Sequence, residues 1–390
     1  MTRPASSLYQ VSPVTADLAK NFQDLAPFST PIRENLETFF TQGDGDPRSA
    51  FGPGAENSIR LEACLQTFSR VFGLPASSIH FISDRSLAFT LSVLGHAKSR
   101  EFSTIRYSPI DKKDAIAAVL EARNLGIEVR ESRVDLSGEI HFLDGDGDPQ
   151  KTLTLFQLRN GESGVWQSLI PDGPLILDAT ALNPRGWGFA LAREALSQSN
   201  NQSNNHFNTP TTRWQSALFD ATSWGGPRGL YILAINERAS WQNPLPTLDP
   251  ALARYGASVP LTLMGAVTLD LEAAKVSTEI DRANAFLRDE LRVLNDIDIA
   301  GTSTGDRLSI SFLNIPADEL IRRLAMDGFF LDSGSACSAS ELSPSHVLSA
   351  MGLLTHGNIR IRLRDENLKT VELLLKSLLT HTRALRMELL

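Results

Sequence analysis

Five short apolar runs punctuate the chain up to residue 235: "IHFIS" (79–83), "IEVRES" (127–132), "TLTLFQL" (152–158), "PLILDA" (174–179) and "GLYILAI" (229–235). Each has the length of a buried strand. Around and between them lie stretches of helical periodicity, "SIRLEACLQTFSRVFGL" and "DKKDAIAAVLEARNLG", both ending at a glycine stop. Strands that alternate with helices form βαβ units, because parallel neighbours need a crossover and a helix is the usual one. The expected fold class is therefore α/β with a mostly parallel sheet. Ligands in such sheets bind beyond the carboxyl ends of the strands.

A chain of 390 residues exceeds one ordinary core, so a second domain is expected. The character changes near residue 256. "DLEAAKVSTEIDRANAFLRDELRVLND" reads as one long amphipathic helix, followed by a strand "RLSISFLNI", a helix "ADELIRRLAMDG", a glycine-serine loop and two closing helices. This gives a large domain over 28–255 and a small α+β domain formed by 1–27 and 256–390. The polar segment 197–212, "SQSNNQSNNHFNTPTT", is expected to form a surface excursion. The runs "GDGDP" (43–47) and "DGDGDP" (144–149) lack the spaced ligands and closing glutamate of an EF-hand, and read as turns.

Charge narrows the function. The net charge of −8 and pI near 5.5 oppose nucleic acid or an anionic membrane as main partner. No run reaches the ~18 apolar residues of a membrane span, and the first residues lack the apolar core of a signal peptide. Two cysteines, Cys64 and Cys337, make no disulfide framework and fit a reducing cytoplasm, which is the expected location. Cys64 sits in an apolar helical pattern and reads as a small buried hydrophobe. Cys337 lies in "LDSGSACSAS" (331–340), a stretch too small and polar for a packed element. Its thiol is placed to reach something.

Three stretches carry a family resemblance: "RNGESGVWQ" (159–167), "LILDAT" (175–180) and "SGSACSASELSPSHVLSAMG" (333–352). They resemble the cysteine desulfurases, class V members of the fold-type I pyridoxal-phosphate (PLP) enzymes. The likeness runs from "DLAPFSTP" at residue 24 to "NIRIRL" at 363. It implies a PLP-transferase fold, with a seven-stranded sheet in the large domain, a small C-terminal domain and a homodimer. It also implies sulfur transfer from L-cysteine through a persulfide on a loop cysteine, here Cys337, with an iron–sulfur scaffold or another sulfur acceptor as recipient. The chemistry needs a lysine imine, a carboxylate on the pyridine nitrogen, a phosphate cradle at a helix N-terminus and an arginine on the substrate carboxylate.

By this resemblance Asp178 is the pyridinium partner and Arg360 the substrate-carboxylate arginine, although Arg360, Arg362 and Arg364 also alternate as a solvated strand face would. Arg85 and Ser86 occupy the phosphate turn, and Ser258 keeps the hydroxyl of the partner-subunit threonine. Asn160 keeps the first asparagine of an Asn-Asn-Glu run whose second is Gly161. Other positions depart from the pattern. "DATSWGGPRG" (220–229) sets Ser223 where the Schiff-base lysine belongs and Thr222 in place of the preceding histidine. Serine forms no imine, and no lysine lies between Lys151 and Lys275, so covalent attachment of PLP is not expected. The ring-stacking histidine is Lys112, and a glutamine after the aspartate is Ala181. Three readings follow: a cysteine desulfurase-like enzyme, a non-catalytic homologue acting as dimeric scaffold, regulator or persulfide acceptor, and a site turned to another anion through Arg85, Lys112 and Arg360.

Overall fold

The computed structural model describes residues 18–24, 37, 45–142, 148–197, 212–246, 256–275, 278–301, 304–334 and 344–388. Cys337 and most of its loop lie outside the described residues, as do 198–211.

The large sheet is built from β1 (Ile79–Ile82), β2 (Thr104–Tyr107), β3 (Glu128–Glu131), β6 (Thr152–Gln157), β7 (Gly173–Asp178), β8 (Thr212–Asp220) and β9 (Tyr231–Ile235). A separate hairpin joins β4 (Arg133–Val134) to β5 (Ile140–His141). The order β1-β9-β8-β7-β6-β2-β3 is parallel from β8 through β3, and β9 runs antiparallel to both its neighbours. The expected mostly parallel seven-stranded α/β sheet is thus present. Strands β6 and β7 are buried at every position, which is why both read as continuous apolar runs rather than as alternation.

Helices α1 (Gly52–Phe72), α2 (Arg85–Ser99), α3 (Lys113–Glu121) and α4 (Trp187–Ser197) flank this sheet. Pro53 opens α1 and Gly73, at φ 71°, closes it. The buried face of α1 repeats at helical spacing through Leu61, Leu65, Phe68 and Phe72, and Phe72 stacks on Phe219 of β8 at 4.1 Å between centroids. Full burial of each such side chain stabilises by about 1.5–3 kcal/mol. Cys64 shares this face, and burial pushes its thiol pKa up to about 12, so it packs as a hydrophobe.

The single long helix expected after 256 is two helices, α5 (Val259–Ala273) and α6 (Glu279–Leu291). The first packs on α1 and contributes Val259, Ala266 and Leu269 to the large core. The second starts a different core at Ile280, shared with Phe22, Leu308, Ile310, Leu320, Ile361 and Leu374. Helix α5 thus belongs to the large core, to which Ala300, Val347, Leu348 and Met351 also return from further along the chain. The C-terminal sheet pairs β10 (Ile297–Ala300), β11 (Arg307–Phe312), β13 (Asn358–Arg362) and β12 (Asp332–Ser333), all antiparallel, under α7 (Ala317–Met326) and α9 (Val371–Glu388). Helix α8 (His346–Ala350) precedes β13. The N-terminal segment is stitched into this domain: Phe22 N–H donates to the Phe330 carbonyl at 2.8 Å, and the Phe22 carbonyl accepts from Arg362 N–H at 2.7 Å. Among the described residues no helix is long and apolar enough to cross a membrane, and no cluster of three metal-ligating side chains occurs.

Candidate functional site

The carboxyl ends of β6, β7 and β8 deliver Gln157, Asp178 and Asp220 to one cleft. Asp178 is buried at 2 % exposure, and its Oδ1 accepts from the backbone N–H and hydroxyl of Thr180. Its Oδ2 lies 3.1 Å from Nζ of Lys112, the residue that caps α3. Two other departures from the family pattern surround this pair. A Cβ added to Gly161 would lie 3.6 Å from the Ala181 Cβ and 3.7 Å from Lys112 Nζ. The missing side chains at 161 and 181 thus leave the space that the lysine fills.

The turn after β8 is equally closed. Asp220 accepts from Thr222 N–H at 2.9 Å and from its hydroxyl at 2.7 Å, capping a single 3₁₀ turn. Ser223, 1 % exposed, turns its hydroxyl back toward the Leu182 carbonyl at 2.6 Å and the Asp220 carbonyl at 2.8 Å. From the small domain, Arg362 donates to the Ser223 carbonyl at 2.8 Å. Asn160 is spent on its own loop: its amide donates to the Ile110 carbonyl and Gln157, and its oxygen accepts from Glu162 and Ser163 N–H groups.

At the N-terminus of α2 two carboxylates stand where an anion would be favoured. Asp84 caps the helix by accepting from Leu87 N–H at 2.8 Å. Asp114, on the first turn of α3, takes the Arg85 Nε at 2.5 Å and the Ser86 hydroxyl at 2.6 Å. Asp111 lies beneath, accepting from Ser108 N–H and Gln157, and burial raises its carboxyl to about 8. Burial likewise raises Asp220. Five aspartates, 84, 111, 114, 178 and 220, thus share the cleft with two cations, Arg85 and Lys112.

These residues do not fit pyridoxal phosphate as they stand. The carboxylate that would hold a protonated ring nitrogen already holds an ammonium, and the hydroxyl and arginine at the phosphate turn are bound to a carboxylate. Nor does the arrangement suit the anion-site reading, since Arg85 and Lys112 are paired to Asp114 and Asp178. Arg360 donates to the Ser333 carbonyl at 3.0 Å, within the C-terminal sheet, and is half-buried. Ser258 is exposed and caps α5, accepting from Leu261 N–H at 3.4 Å; no hydrogen bond among the described residues joins it to the cleft.

A second layer went unread in the sequence. Arg362 is not a solvated strand residue: it is 5 % exposed, and its Nε lies 2.6 Å from Asp306 Oδ2. The other oxygen of Asp306 pairs with Nη1 of Arg159, itself 2 % exposed. Burial opposes the charge on Asp306, but Arg159, Arg362 and Arg307 outweigh it and hold the carboxyl below its usual range. Burial, reinforced by Arg307 and Arg364, lowers Arg362 to about 9. Alternation of arginines in "NIRIRLR" was the available signal, and only the partner Asp306, distant in sequence, tells a buried ladder from a wet one.

With this geometry in hand, comparison places the chain. No family model matches it. The cysteine desulfurase IscS of Dictyoglomus turgidum is 24 % identical over 375 residues, covering 86 % of this chain and 87 % of that protein. That of Rickettsia massiliae is 22 % identical over 377 residues, covering 90 % and 87 %. Among solved structures, the apo cysteine desulfurase from Thermococcus onnurineus NA1 superposes with a TM-score of 0.74 at 14 % identity, over 98 % of this chain and 99 % of that one. The fold is that of the fold-type I, PLP-dependent transferases. In sequence the chain is similar over most of its length to the cysteine desulfurases.

Proposed function

We propose that this protein is a cysteine desulfurase homologue that no longer runs PLP chemistry, works as a homodimer, and takes sulfur onto Cys337 from a persulfide donor. The Lys112–Asp178 ion pair, seated in the space left by Gly161 and Ala181, carries this reading. A cofactor ring set on Asp178 would have to displace an ammonium from a buried carboxylate. Persulfide transfer needs no cofactor. The Cys337 thiolate attacks the outer sulfur of a donor persulfide, the S–S bond breaks, and the donor leaves as a thiolate, with no net change of oxidation state. An iron–sulfur scaffold or another acceptor would then take the sulfur.

Two measurements test it. Purified protein incubated with PLP and borohydride is expected to carry no reduced adduct, by absorption and peptide mass; an adduct on Lys112 would overturn the cofactor-free reading. Incubated with L-cysteine and a competent desulfurase, the chain is expected to gain one sulfur on the Cys337 peptide, and the Cys337→Ser variant none. Release of alanine from cysteine by this chain alone would restore the enzyme reading, with L-cysteine as substrate.

A further inference from the structure

Beside the Arg159–Asp306 pair lies a cavity of about 360 Å³ bounded by residues of both domains. Arg159, Trp166 and Asn183 bound it from the large domain, and Ile280, Asp281 and Gly305 from the small one. Arg159 lies over the Trp166 ring, its guanidinium carbon 5.1 Å from the centroid. Its Nη1 is committed to Asp306, but Nε and Nη2 are buried with no hydrogen-bond partner. Those two donors form one edge of the guanidinium, the edge that forks onto a carboxylate. Orphaned buried donors of this kind are rare and costly.

Neighbouring residues are fitted to that edge. Gly305, at φ 89°, sits against it, and a Cβ there would come within 2.9 Å of Nη2. Gly188 is required for the aromatic wall, since its Cβ would meet the Trp166 ring at 2.1 Å. Charge points the same way. Asp306 serves both Arg159 and Arg362, and of these two only Arg362 also reaches Asp24, at 3.9 Å, while the rim cations Arg185 and Lys275 are matched by Glu272 and Asp365. The cavity also holds an orphaned acceptor, Oδ1 of Asn183, and the carboxylate of Asp281, which accepts from Gly305 N–H at 2.6 Å.

We propose that this interdomain cavity binds a small carboxylate that also carries an N–H donor, the carboxylate on the free edge of Arg159 and the donor on Asn183 or Asp281. A molecule bridging both domains in this way ties their relative position to ligand supply. The inference does not rest on the fate of the cofactor cleft.

The test compares glycine and N-acetylglycine with acetate, glycinamide and inorganic phosphate, by thermal shift and titration calorimetry on the full chain. Glycine or N-acetylglycine is expected to bind at least about tenfold more tightly than acetate or glycinamide, because only they satisfy both orphaned groups. Arg159→Met is expected to weaken that binding by at least about tenfold. Thr278→Trp, at an exposed cap on the cavity rim, is expected to abolish it and keeps the test open if the arginine variant does not fold. No binding by either amino carboxylate, tighter binding of phosphate, or binding undiminished in Thr278→Trp would each overturn the proposal.

Discussion

Nζ of Lys112 lies 3.1 Å from Oδ2 of Asp178, at the carboxyl end of the central strand β7. The pair is lopsided in burial, with the lysine side chain at 20 % exposure and the aspartate at 2 %. Removing the cation leaves a buried carboxylate with Thr180 as its remaining partner. Lys112→Met is expected to cost about 2–3 kcal/mol, less than a fully buried pair because the lysine is partly solvated. Lys112→Met with Asp178→Asn should recover most of that loss. Urea midpoints at unchanged m-value report both effects.

The same pair predicts an order of restoration. Ser223→Lys alone should not form an aldimine with PLP, since Asp178 stays engaged and the serine pocket is lined by the Leu182 and Asp220 carbonyls. Ser223→Lys combined with Lys112→His and Asp114→Asn should gain a borohydride-fixable absorption band. A band of equal strength in the single variant would show that Lys112 does not guard the cleft.

Asp306 and Arg159 should respond unequally to mutation. Asp306→Asn strands the buried Arg159 and leaves Arg362 with the more distant Asp24 as its carboxylate, and is expected to destabilise by about 3–5 kcal/mol. Arg159→Met leaves Asp306 still bound to Arg362 and should cost about 1–3 kcal/mol. Denaturant unfolding of the two variants side by side measures the difference; equal losses would mean that the carboxylate is not shared.

His96, on α2, supplies a pH dependence. Its Nδ1–H donates to the Ser240 carbonyl at 3.0 Å, which leaves Nε2 to accept from the Ser216 hydroxyl at 3.2 Å. Burial holds the imidazole neutral and lowers its pKa from 6.5 to about 4. Between those values the unfolded chain binds the extra proton, so stability is complete above pH 6.5 and falls as pH drops towards 4. The loss is about 3 kcal/mol. His96→Asn should flatten the stability profile across that window.

The strands were legible because β1, β6, β7 and β9 are buried on both faces, and nothing but a central sheet accepts such runs. Strand β8 escaped notice: in "TRWQSALFD" arginine, glutamine and serine interrupt the apolar run, although Gln215 and Ser216 are buried. The break between α5 and α6 was hidden because one charged, helix-forming sequence spans it, while each half answers to a different core. At the site, the sequence named Asp178, Ser223, Lys112, Gly161 and Ala181 one by one. That three of these departures, Lys112, Gly161 and Ala181, cluster in one place is a fact of three dimensions, as is the capture of Arg85 and Ser86 by Asp114.

Asn367 donates its side-chain amide to the Asn21 carbonyl, 346 residues earlier, and Asn21 also bridges to Phe330. During synthesis the large domain can form as its strands emerge, but the place for Phe22 in the small core does not exist until β13 has left the ribosome. A stretch made before the large domain is thus seated only after it. A truncation that spares the whole large sheet but ends before residue 358 would leave Phe22 and its neighbours as an exposed apolar handle for chaperones.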